Sequence, residues 1–130
     1  IAQGWEALLT AIRNRNSLPP AIREMIILRV AVLNRAQYEF DAHVPHAKNA
    51  GMSDEKIEAL RQFPIAESFN SHEQAILRLT DVMTREIQVP DSVFSPIRSE
   101  FNAQEILELV ATIAAYNMVS RLLNALHIGH

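Results

Sequence analysis

The stretch PAIREMIILRVAVLNRAQYEFDAHVPHAKNAG, residues 20–51, decides the fold because it encodes two helices joined by a short link. Its first half, residues 20–34, is apolar on nearly every helical face, a pattern typical of a helix buried on all sides. Its second half, residues 36–50, stops at Gly51, the residue best suited to the left-handed conformation after a helix end. We therefore expect a helical hairpin that turns near Arg35 and Ala36.

The rest of the chain also has helical periodicity, and no sustained alternation of apolar and polar residues indicates a strand. The sequence therefore predicts an all-α fold, with a single domain over residues 1–130. N-cap signals are Ser53 and two capping boxes, one at Ser71 with Gln74 and one at Asn102 with Glu105. Besides the hairpin, we expect helices over residues 4–14, 53–62, 71–86 and 103–127, a loop over 63–70, and a brief helix capped by Asp91 and interrupted by Pro96.

Composition excludes several classes of chemistry. The 130 residues are 48% hydrophobic and 21% charged, and they include no Cys. A disulfide framework, a thiolate nucleophile, a dithiol redox centre and a cysteine zinc site are therefore all excluded. The three glycines lie too far apart to form a phosphate-binding loop or a dinucleotide fingerprint. The net charge of -3 and the scattered basic residues argue against a nucleic-acid partner.

The apolar content predicts self-association. A chain of this size buries only about two-thirds of the surface that its unfolded form exposes. Part of its apolar surface is therefore expected to be buried by contact with another molecule. The last helix has apolar residues on more than one face, and we expect its surplus face to meet another subunit. The longest apolar stretches, residues 25–33 and 109–116, fall short of the roughly 20 residues of a membrane span, so no membrane partner is expected. No secretory leader is evident and a cytoplasmic location is the default expectation, although a chain that begins at Ile1 leaves open a preceding segment.

The residues with the clearest chemistry lie in the second half of the hairpin. Glu39, His43 and His46 are spaced i, i+4 and i+7, which places them within an arc of about 60° on one helix face and predicts a single groove. A carboxylate and an imidazole suit proton transfer near neutral pH. If the chain turns back near residue 35, Glu24 lies only about 4.5 Å along the axis from His43. We therefore expect Glu24 to join the cluster.

Several neighbouring residues have more than one interpretation. Arg29 is expected to pair with a cluster carboxylate or to anchor a substrate carboxylate, and a structural ion pair across the hairpin or at a subunit interface is the alternative. His46 and Tyr38 are assigned to substrate binding, with packing as the alternative for Tyr38. Tyr116 and Asn117 are expected to make packing and helix contacts. Surface positions are expected for the remaining histidines, His72, His127 and His130.

A metal site is the alternative to metal-free chemistry in this cluster. Glu39 and His46 lie about 10.5 Å apart along the helix axis, too far for one ion to bind both together with His43. Glu24 could complete a mononuclear site with His43 and His46. We favour acid–base chemistry without a metal or other cofactor.

Five segments within residues 18–59 carry a resemblance to a known family: Leu18-Pro19-Pro20, Ile27-Leu28-Arg29-Val30, Tyr38-Glu39-Phe40, His43-Val44-Pro45 and Ala50-Gly51-Met52-Ser53. With these segments the chain resembles the carboxymuconolactone decarboxylase family, which includes the alkylhydroperoxidase D-like proteins. The segment 115–118 is similar to the last helix of that family. The resemblance implies a compact orthogonal bundle of about six to seven helices, assembled as a trimer or hexamer and working without a cofactor.

The peroxidase branch of that family carries Cys-x-x-Cys-x-x-x-His, with a Glu one helix earlier. In this register the His is His43, the earlier Glu is Glu24, and the two cysteine positions hold Ala36 and Glu39. Thiol peroxidase activity is therefore excluded, and the chain resembles the cysteine-free, decarboxylase-like branch.

The function predicted from these residues is a cofactor-free lyase that decarboxylates a small lactone acid or β-keto acid. His43 is the expected proton donor, Glu39 or Glu24 would hold its ring and keep its pKa near the working pH, and Arg29 or His46 would stabilise the anion. The alternatives are an isomerase or cyclase acting on a related keto or lactone compound, and a non-catalytic oligomeric binding protein.

Overall fold

The computed structural model describes residues 1–129, and that part of the chain folds into seven α-helices with no strand. The prediction of an all-α fold is confirmed, and the expectation for His130 lies outside the described residues. Most helix boundaries fall within a few residues of the expected ones. The helices are α1 (Ala2–Asn14), α2 (Pro20–Leu33), α3 (Gln37–Asn49), α4 (Asp54–Ala59), α5 (Ser71–Arg85), α6 (Asp91–Glu100) and α7 (Ala103–Ala125).

Helix α2 is the central element, and it packs against α3, α5 and α7. Every residue from Glu24 to Ala31 is buried, as the apolar pattern predicts. Pro20 starts the helix at a position where a missing N–H costs nothing, because the first N–H groups of a helix have no partner within it. The same burial encloses two charged side chains, Glu24 and Arg29, which must therefore find partners inside the fold.

The turn between α2 and α3 is short and fixed by hydrogen bonds. Ala36 donates its backbone N–H to the carbonyl of Ala31 at 2.8 Å. Arg35 adopts a left-handed backbone with φ of 54°. Helix α3 ends at Asn49, and the φ of 97° at Gly51 confirms the predicted left-handed position after the helix end. The turn at Arg35 and the end of α3 thus delimit the second half of the hairpin, which carries candidate functional side chains.

Polar side chains tie this turn to α7. The Asn34 side-chain amide donates to Asn117 Oδ1 at 2.9 Å and to Ser120 Oγ at 2.7 Å. The Asn124 amide donates to the Asn34 carbonyl at 2.9 Å. The expected role of Asn117 in helix contacts is confirmed.

Two expectations about helix starts are wrong. The capping box of α5 uses Asn70 and Glu73, one residue before the predicted pair, with Glu73 N donating to Asn70 Oδ1 at 2.8 Å. Helix α6 starts after Pro90 and continues through Pro96, because Pro96 removes only one backbone donor and Ile97 anchors the helix in the core. The caps predicted at Ser53 and Asn102 are confirmed.

Helix α7 is long and apolar enough to cross a membrane by length and composition alone, with a mean hydropathy of 1.4. The uninterrupted apolar stretches of the sequence do not predict a helix of this kind, because polar residues divide the 23-residue helix into shorter apolar stretches. A core helix of a globular protein can have the same length and composition, and 39% of the apolar segment of α7 is buried in the fold. Large apolar side chains stay exposed along α7 and just beyond it, namely Leu107, Met118, Leu122, Leu126 and Ile128. Contact of this face with another subunit stays a prediction.

Candidate active site

The imidazole of His43 lies between two carboxylates in the interior of the hairpin. Its Nδ1 is 2.7 Å from Glu24 Oε1, and its Nε2 is 3.0 Å from Glu39 Oε1. Glu24 is 1% exposed, and Glu39 and His43 are each 8% exposed. The structure thus brings together the three residues that the sequence assigns to proton transfer.

The local structure explains this arrangement. Glu39 and His43 are one helical turn apart on α3, so their side chains meet on one face. Glu24 comes from α2, which runs alongside α3 after the tight turn at Arg35. The predicted reach of Glu24 across the hairpin is confirmed.

The two carboxylates set the protonation state of His43. Burial lowers the pKa of His43, but the hydrogen bonds and negative charges of Glu24 and Glu39 outweigh it and raise the pKa from 6.5 to about 9. Burial raises the pKa of Glu24, and the hydrogen bonds and charges of His43 and Arg23 overcome it, so the pKa lies below its ordinary value. The expectation of a pKa near working pH is therefore wrong for His43, because two carboxylates face one ring. At neutral pH the group is an imidazolium flanked by carboxylates.

Arg23 is a site residue that the sequence does not predict. Its Nε lies 3.0 Å from Glu24 Oε2, and its Nη1 donates to the Arg13 carbonyl at 2.5 Å. Adjacent residues on a helix point about 100° apart, so sequence spacing does not predict a contact between Arg23 and Glu24. The contact depends on α1, whose C-terminal end holds the guanidinium in place.

A cavity of about 260 Å³ opens beside this cluster. His43 and Glu24 form part of its wall, while Glu39 does not border it and holds the ring from behind. The predicted single groove is therefore right for His43 and His46 and wrong for Glu39. The lining residues are Arg13, Asn14, Arg23, Glu24, His43 and His46.

Tyr116 of α7 packs edge-on against the His43 ring, with ring centroids 5.7 Å apart and an interplanar angle of 84°. The residue is 3% exposed, in agreement with the expected packing role. Burial is the largest effect that raises the pKa of Tyr116, to about 12, and the charges of Glu39 and Glu24 add to it. The phenol is therefore neutral throughout the physiological range.

Arg29 does not reach the cluster, contrary to expectation. Its Nε and Nη2 each lie 2.7 Å from a different oxygen of Asp81, and its Nη1 donates to the carbonyls of Leu60 and Gln62 at 2.7 and 2.9 Å. The residue is 0% exposed, and these bonds commit its donors to the core. Five positions along α2 separate it from Glu24, which turns the two side chains about 140° apart. Arg29 is therefore not available to bind a substrate carboxylate.

Tyr38, the other residue expected to bind substrate, lies away from the cavity. The residue is 48% exposed, and Gly129 packs so closely against its side chain that a Cβ at position 129 would overlap the ring. Since Tyr38 precedes Glu39 by one residue, it points about 100° away from the cluster. The alternative of a packing role fits this position better.

Metal binding would require the cluster to rearrange. Within residues 1–129 no group of three His, Asp or Glu side chains has an arrangement that could hold a metal ion. Both ring nitrogens of His43 are engaged by carboxylates, so a metal at either nitrogen would displace a hydrogen bond. His46 contributes a neighbouring ring, with its centroid 5.3 Å from that of His43.

The fold is similar to that of two solved structures. A protein of unknown function from Agrobacterium tumefaciens, suggested to be the antioxidant defence protein AhpD, superimposes with a TM-score of 0.92 at 23% identity, over 99% of this chain and 89% of that one. An uncharacterized peroxidase-related protein from Silicibacter sp. TM1040 gives a TM-score of 0.85 at 21% identity, over 95% of this chain and 66% of that one. At these identities the likeness concerns the fold alone.

The family itself follows from the sequence. The profile of the carboxymuconolactone decarboxylase family matches residues 1–81, and the chain belongs to that family. The chain is also 25% identical over 110 residues to the uncharacterized protein YdfG of Bacillus subtilis (strain 168), which corresponds to 83% of this chain and 75% of that protein. The matched residues 1–81 contain the whole Glu24, Glu39 and His43 cluster.

Proposed function

We propose that this protein is a cofactor-independent acid–base lyase that decarboxylates a small keto acid or lactone acid. The observation that carries the proposal is the imidazolium of His43, buried between two carboxylates at the wall of a cavity that two arginines also line. A group with a pKa of about 9 is protonated at neutral pH, so it acts first as an acid. Membership of the carboxymuconolactone decarboxylase family supports the same chemistry.

The cavity suits an anionic substrate. Arg13 and Arg23 line it, and the exposed ring of His46 stands at its edge. Arg23 uses Nε on Glu24 and Nη1 on the Arg13 carbonyl, which leaves its Nη2 and the Arg13 guanidinium to attract a carboxylate. These two arginines take the role that the sequence analysis assigned to Arg29.

Decarboxylation would then proceed in two steps. The bond between the carboxylate carbon and the neighbouring carbon breaks, carbon dioxide leaves, and the electron pair passes into the adjacent carbonyl to form an enolate. The enolate takes a proton at carbon from His43, which then recovers a proton from water. Cationic groups around the cavity stabilise the negative charge as it moves onto the enolate oxygen.

In this proposal Nδ1 of His43 is the nitrogen that delivers the proton. Its partner Glu24 borders the cavity and has a second partner in Arg23, so Glu24 can release Nδ1 and keep an ion pair. Glu39 does not border the cavity, and its bond to Nε2 fixes the ring while the proton moves. Glu24 and Glu39 thus have different roles, although both contact one imidazole.

The test is to follow carbon dioxide release and product formation from a panel of β-keto acids and lactone acids. We expect turnover of at least one substrate by the wild type and a loss of at least about 100-fold in His43→Ala, the usual contribution of a general acid. His72→Ala is the matched control, because His72 is an exposed histidine paired with Glu100 on another face. Equal activity of wild type and His43→Ala, or no turnover of the panel by either protein, would contradict the proposal.

The same experiment separates decarboxylation from isomerisation. If His43 moves a proton without loss of carbon dioxide, the substrate incorporates deuterium from heavy water while no carbon dioxide is released. That outcome would favour an isomerase or cyclase and refute the lyase.

A further inference from the structure

A second cavity, of about 340 Å³, lies at the turn between α2 and α3. It shares no lining residue with the cavity beside His43, and the proposed lyase chemistry makes no use of it. Its volume is within the range of small-molecule sites. The lining residues are Ala31, Val32, Arg35, Ala36, Gln37, Phe40 and Arg61.

The floor of this cavity is apolar and rigid. Ala31, Ala36 and Phe40 are 1%, 2% and 3% exposed, so they belong to the core and only their outer atoms face the cavity. Val32 adds a half-buried apolar wall. A ligand that fills this floor must present an apolar body.

One side of the opening carries the guanidinium of Arg61. Its Cζ lies 4.0 Å from the centroid of the Phe40 ring, a cation–π contact that holds the group over the apolar floor. Its Nε is 3.4 Å from Glu58 Oε2, and the Glu58 side chain is 73% exposed. A guanidinium has five N–H donors, so this single loose ion pair leaves most of them available.

Arg35 lines the same cavity from the turn. None of the ion pairs formed among residues 1–129 uses Arg35. Its backbone is left-handed, a conformation that favours glycine or asparagine, yet the position carries a long cationic side chain.

Two acidic side chains, Asp41 and Glu58, lie near the opening of this cavity. Gln37 donates its side-chain amide to Asp41 at 2.8 Å, which draws Asp41 to the rim. Asp41 and Glu58 are both exposed, so water screens their charges. Arg35 and Arg61 are exposed as well, so the cavity combines two cationic side chains at its opening with an apolar floor.

We propose that this cavity binds a small amphipathic carboxylate, with the carboxylate between Arg35 and Arg61 and the apolar body over Phe40 and the two alanines. Arginine suits this role because its planar guanidinium can donate two parallel hydrogen bonds to one carboxylate. The site is independent of the proposed lyase site and does not require that function to be correct.

Benzoate is the probe for the test, and benzyl alcohol is its uncharged analogue of similar size. Binding is measured by isothermal titration calorimetry and by backbone amide shifts in NMR spectra. We expect benzoate to shift the amides around Ala36 and Phe40. We expect Arg35→Gln and Arg61→Gln each to weaken binding about tenfold, a factor typical of one charge-assisted hydrogen bond.

Three controls make the result decisive. Arg78→Gln removes an exposed arginine from another helix and should leave benzoate binding unchanged. Benzyl alcohol should bind at least about tenfold more weakly than benzoate. Arg23→Gln changes only the cavity beside His43, so it should also leave this binding intact.

Three results would overturn the proposal. The first is wild-type affinity for benzoate in both Arg35→Gln and Arg61→Gln, and the second is equal affinity for benzyl alcohol and benzoate. The third is loss of benzoate binding in Arg23→Gln, because that result would locate the anion in the cavity beside His43. NMR spectra of each variant establish that it is folded before its affinity is measured.

Discussion

The protonation of His43 should make the stability of the fold depend on pH above neutrality. Burial lowers the pKa of His43, but Glu24 and Glu39 raise it more, to about 9 against an ordinary value of 6.5. A raised pKa in the folded state means that this contribution is fully present below pH 6.5 and is lost as the pH rises through 9. At about 1.4 kcal/mol per pH unit, the loss over this window is about 3 kcal/mol.

Urea denaturation at several pH values between 6.5 and 9 measures this effect directly. Unfolding can be followed by far-UV circular dichroism and by the fluorescence of Trp5, the single tryptophan. For a chain of this size, a loss of about 3 kcal/mol moves the urea midpoint by about 1–2 M. A histidine side-chain NMR titration would report the pKa of His43 itself.

Two variants test whether the slope of stability against pH comes from the cluster of Glu24, Glu39 and His43. Glu24→Gln removes one of the two negative charges, so the pKa of His43 should fall by at least about one pH unit and the pH dependence should flatten. His72→Gln changes an exposed histidine and should keep the wild-type slope. A wild-type stability that stays constant from pH 6.5 to 9, or an equal slope in Glu24→Gln, would refute the electrostatic reasoning.

Three further stability changes follow from the packing, each measurable by urea or thermal denaturation. Asp81→Ala should lower the free energy of unfolding by about 3 kcal/mol, because it leaves the fully buried Arg29 guanidinium without its carboxylate. A loss below about 1 kcal/mol would contradict the structural role of this pair. Asn102→Ala should cost about 1 kcal/mol through loss of the α7 cap, and unchanged stability would show that the capping box contributes nothing. Leu109→Ala should lower the free energy of unfolding by about 2–5 kcal/mol, because the residue is 0% exposed and its truncation leaves a cavity in the core. A smaller loss would mean that neighbouring side chains move in to fill that cavity.

The helices could be predicted from the sequence because their signals are local. Periodicity, N-caps and the glycine after α3 act within a few residues, and Ser53, Asn102 and Gly51 are found where those signals place them. The α5 cap was assigned one residue late. Asn70 and Ser71 are both good N-caps and Glu73 and Gln74 both suit the third helical position, so the sequence pattern does not choose between the two registers.

The candidate site could be predicted in part. The contact of Glu39 with His43 follows from their i, i+4 spacing, and Glu24 follows once the hairpin is assumed. The expectation that Arg29 pairs with a cluster carboxylate or a substrate is wrong, and its separation of about 140° from Glu24 on α2 can be read from the sequence. The alternative of a structural ion pair agrees with the structure, although the partner is Asp81 of α5 and not a residue across the hairpin. Arg23 could not be found, since its contact with Glu24 depends on where α1 ends.

By itself the sequence determined the helical fold, the absence of thiol chemistry and the set of side chains able to move a proton. Only the tertiary structure decided that two carboxylates reach one buried imidazole, that Arg29 serves the core, and that arginines line two separate cavities. The physical reason is that helix formation depends on interactions between near neighbours along the chain. The charge state of His43 and the shapes of the cavities depend instead on distances and burial between helices that are far apart in sequence.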